Sequence, residues 1–198
     1  LFGGQQGGAD TLLKQADLAM YRAKANGRNA LRFFDPEMQA VVDARFALEA
    51  DLRAGLQLQQ LVLHYQPQVD ARRGVVGAEA LVRWMHPGRG LVSPQTFIGL
   101  AEETGHIVPL GAWELDAAYA QLARRATRHP FAHLCLAVNV SAQQFRQTGF
   151  VDLVLATLQR HGVPPNRLKL ELTESLLLTE VDAVIATMTH LKAQGAGF

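Results

Sequence analysis

The first sixty residues carry apolar side chains at the spacing of two helices. Apolar positions recur every three or four residues from Thr11 to Asn26, which predicts a helix with Asp10 as its N-cap and Gly27 beyond its end. A short strand is predicted from Ala30 to Phe34. A second, longer helix is predicted from Pro36 to about Gln60, because proline suits a first helical turn.

Two stretches after the second helix alternate between apolar and polar side chains, as strands do. The strand Leu61 to Val69 and the run that begins at Val75 are separated by only five residues. A parallel crossover needs a dozen or more residues, so we expect these two strands to form an antiparallel hairpin.

Beyond Gly90 the helical and strand patterns follow one another in turn, which predicts an α/β layer of parallel strands joined by right-handed crossovers. The last strand has leucines on one face and polar side chains on the other. That pattern suits a barrel with a site near the carboxyl ends of its strands. The predicted helices begin near Pro94, Pro109, Val151 (capped by Thr148) and Val181 (capped by Thr179), and the predicted strands are Leu134 to Val140 and Leu168 to Glu174.

The strand that begins at Val75 contains an acid and a base within an apolar run. Alternation places Glu79, Leu81 and Arg83 on one face of this strand. Burying both charges costs several kcal/mol per ion unless a metal, an ion pair or a ligand compensates them. The plainer alternative is a Glu79–Arg83 pair on a solvated face, and this stretch alone favours it.

Two later strands each supply a polar residue near their carboxyl ends, Asn139 and Glu171. With Glu79 they make two carboxylates and an amide, with no thiolate and no clustered imidazole. Such oxygen donors select Mg²⁺ or Mn²⁺ over zinc. Spacing alone does not exclude that the three polar residues come together by chance.

Composition narrows the range of binding partners that this protein could have. A net charge of +1 over 198 residues offers no general field for a nucleic acid polymer or an anionic membrane, so an anionic ligand needs a local site. No apolar run approaches the roughly 18 residues of a membrane span. The single cysteine, Cys135, excludes an intramolecular disulfide and suits a reducing compartment, so we expect a cytoplasmic protein.

Several stretches resemble the EAL domain: YQP at Tyr65, GAEALVRW at Gly77, FIGLAEETGHI at Phe97, NVSAQQF at Asn139 and LELTES at Leu170. The resemblance implies an eight-stranded (β/α)8 TIM-like barrel with an antiparallel first strand, which hydrolyses the bacterial messenger cyclic di-GMP to linear pGpG. Near the N-terminus, ADLAMYRAKANGRNALRFF resembles the end of a GGDEF (diguanylate cyclase) domain.

The EAL resemblance also implies roles for individual residues. Glu79, Asn139 and Glu171 are expected to bind the catalytic Mg²⁺ or Mn²⁺ ions of a two-metal site. It further implies that Arg83 binds a phosphate of the substrate and that Leu81 and Gln66 contact the nucleotide. Glu174 is implied to anchor a loop, and the alternative is that it is an ordinary loop acid.

The resemblance suggests three segments: a GGDEF remnant over residues 1–35, a connecting helix over 36–60, and the N-terminal part of an EAL domain over 61–198. We expect this last segment to hold the first half to two-thirds of the barrel and to be inactive by itself, because the family's DDFGTG loop and later site residues are not in it. The parent protein is expected to be a homodimeric phosphodiesterase. A non-catalytic cyclic di-GMP receptor and a structural or interaction module remain alternatives.

Overall fold

The computed structural model describes residues 8–25, 33–71, 74–126, 134–173, 176 and 181–198. The chain forms two compact units, Leu1–Asp51 and Leu52–Phe198. The second unit contains the whole β-sheet and, within the described ranges, five complete α-helices. No helix in these ranges is both long enough and apolar enough to cross a bilayer.

The first unit contains helix α1 (Ala9–Ala25) and most of helix α2 (Pro36–Gln57). The prediction that Asp10 caps α1 is wrong, because Asp10 lies inside the first turn and the carbonyl of Gly8 accepts the amide of Thr11 at 2.9 Å. An acid in that turn still favours the helix through its dipole. Gly27 and residues 30–32 of the predicted strand lie outside the described residues, and Phe33 and Phe34 are not in a strand.

Helix α2 begins where the sequence predicted, since Asp35 Oδ1 accepts the amide of Glu37 at 3.0 Å. It ends at Gln57, three residues early, because Gln59 adopts a left-handed φ of +56°. Within the second unit, Gln60 then joins the helix end to the sheet: its Oε1 accepts Trp84 Nε1 at 3.1 Å and its carbonyl accepts the amide of Met85 at 2.8 Å.

The sheet has five strands: β1 (Leu61–Val69), β2 (Val75–His86), β3 (Gly90–Val92), β4 (Cys135–Val140) and β5 (Leu168–Leu172). Their order is β1-β2-β4-β5, with β3 against the end of β2. The antiparallel β1–β2 hairpin is confirmed, and β4 runs parallel to both β2 and β5. Strand β3 was not predicted because three residues carry no measurable alternation. Beyond β5, Gly197 forms a parallel bridge with Lys169.

The predicted helices are confirmed as α3 (Pro94–Thr104), α4 (Ile107–Ala126), α6 (Phe150–His161) and α7 (Val181–Ala193). Two details are corrected. Ser141 and Gln144 form a capping box on the short helix α5 (Ala142–Phe145), which was absent from the predicted helices, and Gly149, not Thr148, is the N-cap of α6. Thr179 lies outside the described residues.

One apolar cluster joins the sheet to α4, α6 and α7. From the sheet it takes the side chains of alternate residues, such as Ala80, Val138 and Leu170, all almost fully buried. From the helices it takes, among others, Leu115, Tyr119, Val154, Leu158, Val184 and Leu191. Burying each large apolar side chain contributes about 1.5–3 kcal/mol, so this packing fixes which face of the sheet meets the helices.

We predict that Gly77→Ala destabilises the protein by about 1–3 kcal/mol. A Cβ at Gly77 would stand 2.6 Å from the backbone oxygen of Cys135 on the paired strand, and a backbone atom there cannot move without separating β2 from β4. Urea unfolding measures the loss. Gly99→Ala is the control, since a Cβ at this helical glycine meets nothing within 4 Å and alanine favours helix. Equal stability of the two variants would contradict the prediction.

Candidate functional site

One face of the sheet is polar and faces away from the helical layer. Residues paired across neighbouring strands share a face, and Glu79 pairs with Gln66 on β1 and with Ala137 on β4. Asn139 pairs with Glu171 on β5. Alternation therefore puts these side chains on one surface, which we call the polar face: Gln66, Gln68, Glu79, Leu81, Arg83, Ala137, Asn139, Lys169 and Glu171.

Asn139 lies between the two candidate carboxylates. Its Nδ2 donates to Glu79 Oε1 at 2.8 Å, and its backbone pairs with that of Glu171. The bond leaves the amide oxygen of Asn139 available as a ligand. The structure thus brings together the three candidate metal ligands that the sequence indicated. Glu79 and Arg83 form no ion pair with each other, so the plainer alternative for the β2 strand is not what the structure shows.

Glu171 has two partners on the polar face. Lys169 Nζ approaches its Oε1 at 2.9 Å, and Gln68 Nε2 donates to the same oxygen at 3.4 Å. Gln68 belongs to β1, three strand steps from β5, which is about 14 Å in a flat sheet. A hydrogen bond over that separation requires the sheet to curl with its polar face on the concave side.

The expected substrate residues lie on or beside this concave surface. Arg83 and Leu81 follow Ala80, the last residue of β2 that pairs with β4. Arg83 is half-buried, and its Nη1 donates to the neighbouring carbonyl of Val82 at 2.8 Å. Gln66 is exposed opposite Glu79. Glu174 lies outside the described residues.

The donors present suit a hard divalent cation. Glu79, Glu171 and the amide oxygen of Asn139 are oxygen ligands of the kind that Mg²⁺ and Mn²⁺ prefer. In the described part of the chain, no group of three or more His, Cys, Asp or Glu side chains could hold a metal ion. A metal centre on this face therefore depends on the amide as its third ligand.

A cavity of about 240 Å³ adjoins the polar face where β2 separates from β4. Its lining includes Leu81, Arg83 and Asn139, and also Glu114 from α4, which is only 5% exposed. Burial and, to a lesser degree, the nearby charge of Glu79 raise the pKa of Glu114 to about 8. Sequence reasoning missed Glu114, although a glutamate four residues after Leu110 and next to Leu115, on an apolar helix face, was a usable signal.

Residues 49–198 match the model of the EAL domain, and the chain belongs to this family. It is 46% identical over 187 residues to the bifunctional diguanylate cyclase/cyclic di-GMP phosphodiesterase MucR of Pseudomonas aeruginosa, covering 94% of this chain and 27% of MucR. It is 38% identical over 185 residues to the cyclic di-GMP phosphodiesterase PdeR of Escherichia coli, covering 93% of this chain and 28% of PdeR. The chain thus spans about a quarter of the length of these relatives.

Solved structures share this fold. The phosphodiesterase PaMucR, in complex with c-di-GMP, superposes with a TM-score of 0.73 at 45% identity, covering 76% of this chain and 61% of that one. The EAL enzyme Bd1971, in a form bound to cAMP and cyclic-di-GMP, gives a TM-score of 0.73 at 26% identity over 96% of this chain and 50% of its own. The α/β fold with a mixed sheet is thereby confirmed as that of EAL-domain proteins.

We predict that the contribution of Glu114 to the stability of this protein falls as pH rises above the range in which the unfolded carboxyl ionises. The unfolded carboxyl ionises near pH 4.5, whereas the folded one keeps its proton to about pH 8. The unfolded state therefore binds fewer protons between these values, so the free energy of unfolding decreases there and levels off above pH 8.

Glu114→Gln should remove this decrease. The change in the free energy of unfolding from pH 5 to pH 8 should therefore be more favourable in the variant than in wild type by at least about 1 kcal/mol. Urea unfolding in EDTA at several pH values is the measurement. Glu102→Gln, at an exposed glutamate lining the same cavity, should keep the wild-type slope. Parallel pH profiles for wild type and Glu114→Gln would contradict the prediction.

Proposed function

We propose that this chain is part of a phosphodiesterase that hydrolyses cyclic di-GMP to linear pGpG with the help of divalent metal ions. The single observation that carries the proposal is the convergence of Glu79, Asn139 and Glu171 on three adjacent strands of an EAL-family sheet. The names of MucR and PdeR, and the c-di-GMP complex of PaMucR, support the substrate.

Mg²⁺ or Mn²⁺ is the proposed cofactor, held in this chain by Glu79, Asn139 and Glu171. When bound, such ions activate a water molecule and stabilise the attacking and leaving oxygens of an in-line displacement at phosphorus. The chain's own contribution is to hold the ligands at fixed relative positions. Asn139 does this for Glu79 through the 2.8 Å hydrogen bond, and the strand register does it for Glu171.

Arg83, Leu81 and Gln66 are proposed to hold the substrate. A guanidinium group matches two phosphate oxygens at once, and Arg83 can exchange its bond to the Val82 carbonyl for such a pair. Leu81 lies two residues before Arg83 on the same face and offers an apolar surface to a nucleotide. Gln66, across the hairpin from Glu79, offers an amide to the same ligand. For Glu174 we propose the loop-anchoring role.

The concave, polar sheet is proposed to be the first part of a (β/α)8 barrel with an antiparallel first strand. Because the chain spans about a quarter of the length of MucR and 61% of the solved PaMucR chain, we propose that it is part of a longer parent protein. We also propose that this parent protein is cytoplasmic and homodimeric. In it, residues 1–35 would end a GGDEF domain, residues 36–60 would connect the domains, and residues 61–198 would begin the EAL domain.

We predict that Glu79→Ala and Glu79→Gln lower Mn²⁺-dependent hydrolysis of cyclic di-GMP by the full-length protein at least roughly 100-fold, since each removes a charged metal ligand. The measurement is pGpG formation at saturating substrate and metal. Glu37→Gln serves as the control, because it removes one exposed carboxylate on α2 that belongs neither to the polar face nor to the lining of its cavity. Wild-type turnover in Glu79→Gln would show that the metal assignment is wrong.

The same assay distinguishes the alternatives. Hydrolysis by the full-length wild type supports the enzyme, whereas tight binding of cyclic di-GMP without pGpG identifies a receptor. If the protein neither binds nor hydrolyses the dinucleotide, an interaction module remains. The 198 residues alone are expected to give no turnover, because the resemblance assigns further metal ligands and a lysine to family segments outside them.

A further inference from the structure

We propose that Lys169 competes with the metal ion for Glu171, so that a metal ion binds this carboxylate only when the ammonium group leaves it. This inference rests on the proposed function, because it concerns the metal ligands of the same site. It makes Lys169 a residue that sets the metal requirement of the enzyme, acting through Glu171 and not on the substrate.

The geometry places the ammonium group directly on the candidate ligand. Lys169 and Glu171 are two residues apart on β5, so their side chains point from the same face, and Nζ lies 2.9 Å from Oε1. The second donor to that oxygen is Gln68 Nε2, at a longer 3.4 Å. Without a metal ion, Oε1 of Glu171 thus accepts hydrogen bonds from a positively charged ammonium group and from an amide.

Charge on the polar face argues for competition. Glu79 and Glu171 carry two negative charges there, and Lys169 and Arg83 carry two positive charges, so the face is neutral without a metal ion. A divalent cation on Glu171 would share one carboxylate with the ammonium group. A metal ion and an ammonium group on the same carboxylate would be close neighbours in a partly shielded site. Their mutual repulsion would exceed the attraction between the ammonium group and Oε1.

The lysine side chain is partly exposed to solvent, although its backbone is held in the sheet. Lys169 pairs with Ala137 on β4 and with Gly197 on its other side, which holds its Cα in the sheet. Its side chain is 43% exposed and that of Glu171 is 28% exposed. The ammonium group can therefore turn toward solvent when a metal ion arrives, at the cost of a partly exposed ion pair.

If Lys169 instead orients Glu171 for the metal ion, the expected change in metal affinity has the opposite sign. Hydrogen bonds from a neighbouring side chain often orient a metal ligand, and losing such a partner weakens metal binding. If Lys169 only oriented Glu171, its removal would raise the dissociation constant of the metal. Competition predicts that removal lowers it, so one binding measurement decides between the two.

The test is Mn²⁺ binding to the full-length protein without substrate, measured by isothermal titration calorimetry. Lys169→Met keeps the length of the side chain and removes its charge, and it should lower the Kd for Mn²⁺ by roughly tenfold. Lys169→Arg keeps the charge and should bind Mn²⁺ with a Kd close to that of wild type. In turnover assays, Lys169→Met should need less metal for half-maximal rate while its KM for cyclic di-GMP at saturating metal stays unchanged.

Lys14→Met is the matched control, because it makes the same change in net charge on α1, in the other unit, and should leave Mn²⁺ binding unchanged. An equal or higher Kd in Lys169→Met overturns the inference and leaves the proposed function intact. If Glu171→Gln binds Mn²⁺ as wild type does, Glu171 is not a ligand and the inference also falls. If wild type and all variants bind no Mn²⁺, both the inference and the metal-dependent function fail.

Discussion

Backbone pairing of β4 with β2 on one side and with β5 on the other determines where the polar residues of this protein lie. Because side chains alternate along each strand, a slip by one residue would turn Glu79, Asn139 or Glu171 into the apolar cluster. It would also expose a side chain such as Val138 or Leu170, at about 1.5–3 kcal/mol each, in addition to the cost of burying an ion. Packing of the helices on one face of the sheet therefore fixes the positions of the side chains on the polar face.

Helix α4 links the two faces. It contributes Leu115 and Tyr119 to the apolar cluster, and it places Glu114 beside the cavity that adjoins Asn139. Its polar contacts with α6, an ion pair from Asp116 to Arg160 at 2.7 Å and a hydrogen bond between Asp116 and His161 at 2.8 Å, involve partly exposed groups. Such pairs contribute about 0–1 kcal/mol, so apolar packing, not charge, holds α4 against α6 and keeps the cavity wall in position.

Most of the sheet could be predicted because its determinants are local. The five-residue connection after Val69 permits only a hairpin, and the alternation in β5 separates leucines from Lys169 and Glu171. Helix caps were less predictable. Asp10 and Thr148 have the chemistry of an N-cap, but Gly8 and Gly149 provide the flanking backbone instead.

The contacts of the site depend on tertiary structure and were beyond sequence reasoning. The three candidate ligands were found from residue type and strand position. The bond from Gln68 to Glu171 exists only because the sheet curls, and the burial of Glu114 depends on how α4 packs. The Gln68–Glu171 distance cannot be read from spacing along the chain, whereas apolar spacing around Glu114 indicates a buried helix face without giving the extent of burial.

We propose that Glu79, Asn139 and Glu171, on three neighbouring strands, bind metal at one centre. Crystals of the full-length protein soaked in Mn²⁺ test it most directly, through anomalous scattering recorded at the manganese edge. We expect an anomalous peak within bonding distance of Glu79, Asn139 and Glu171. Ordered side chains at these positions with no peak between them, or a manganese ion held by other residues, would contradict it.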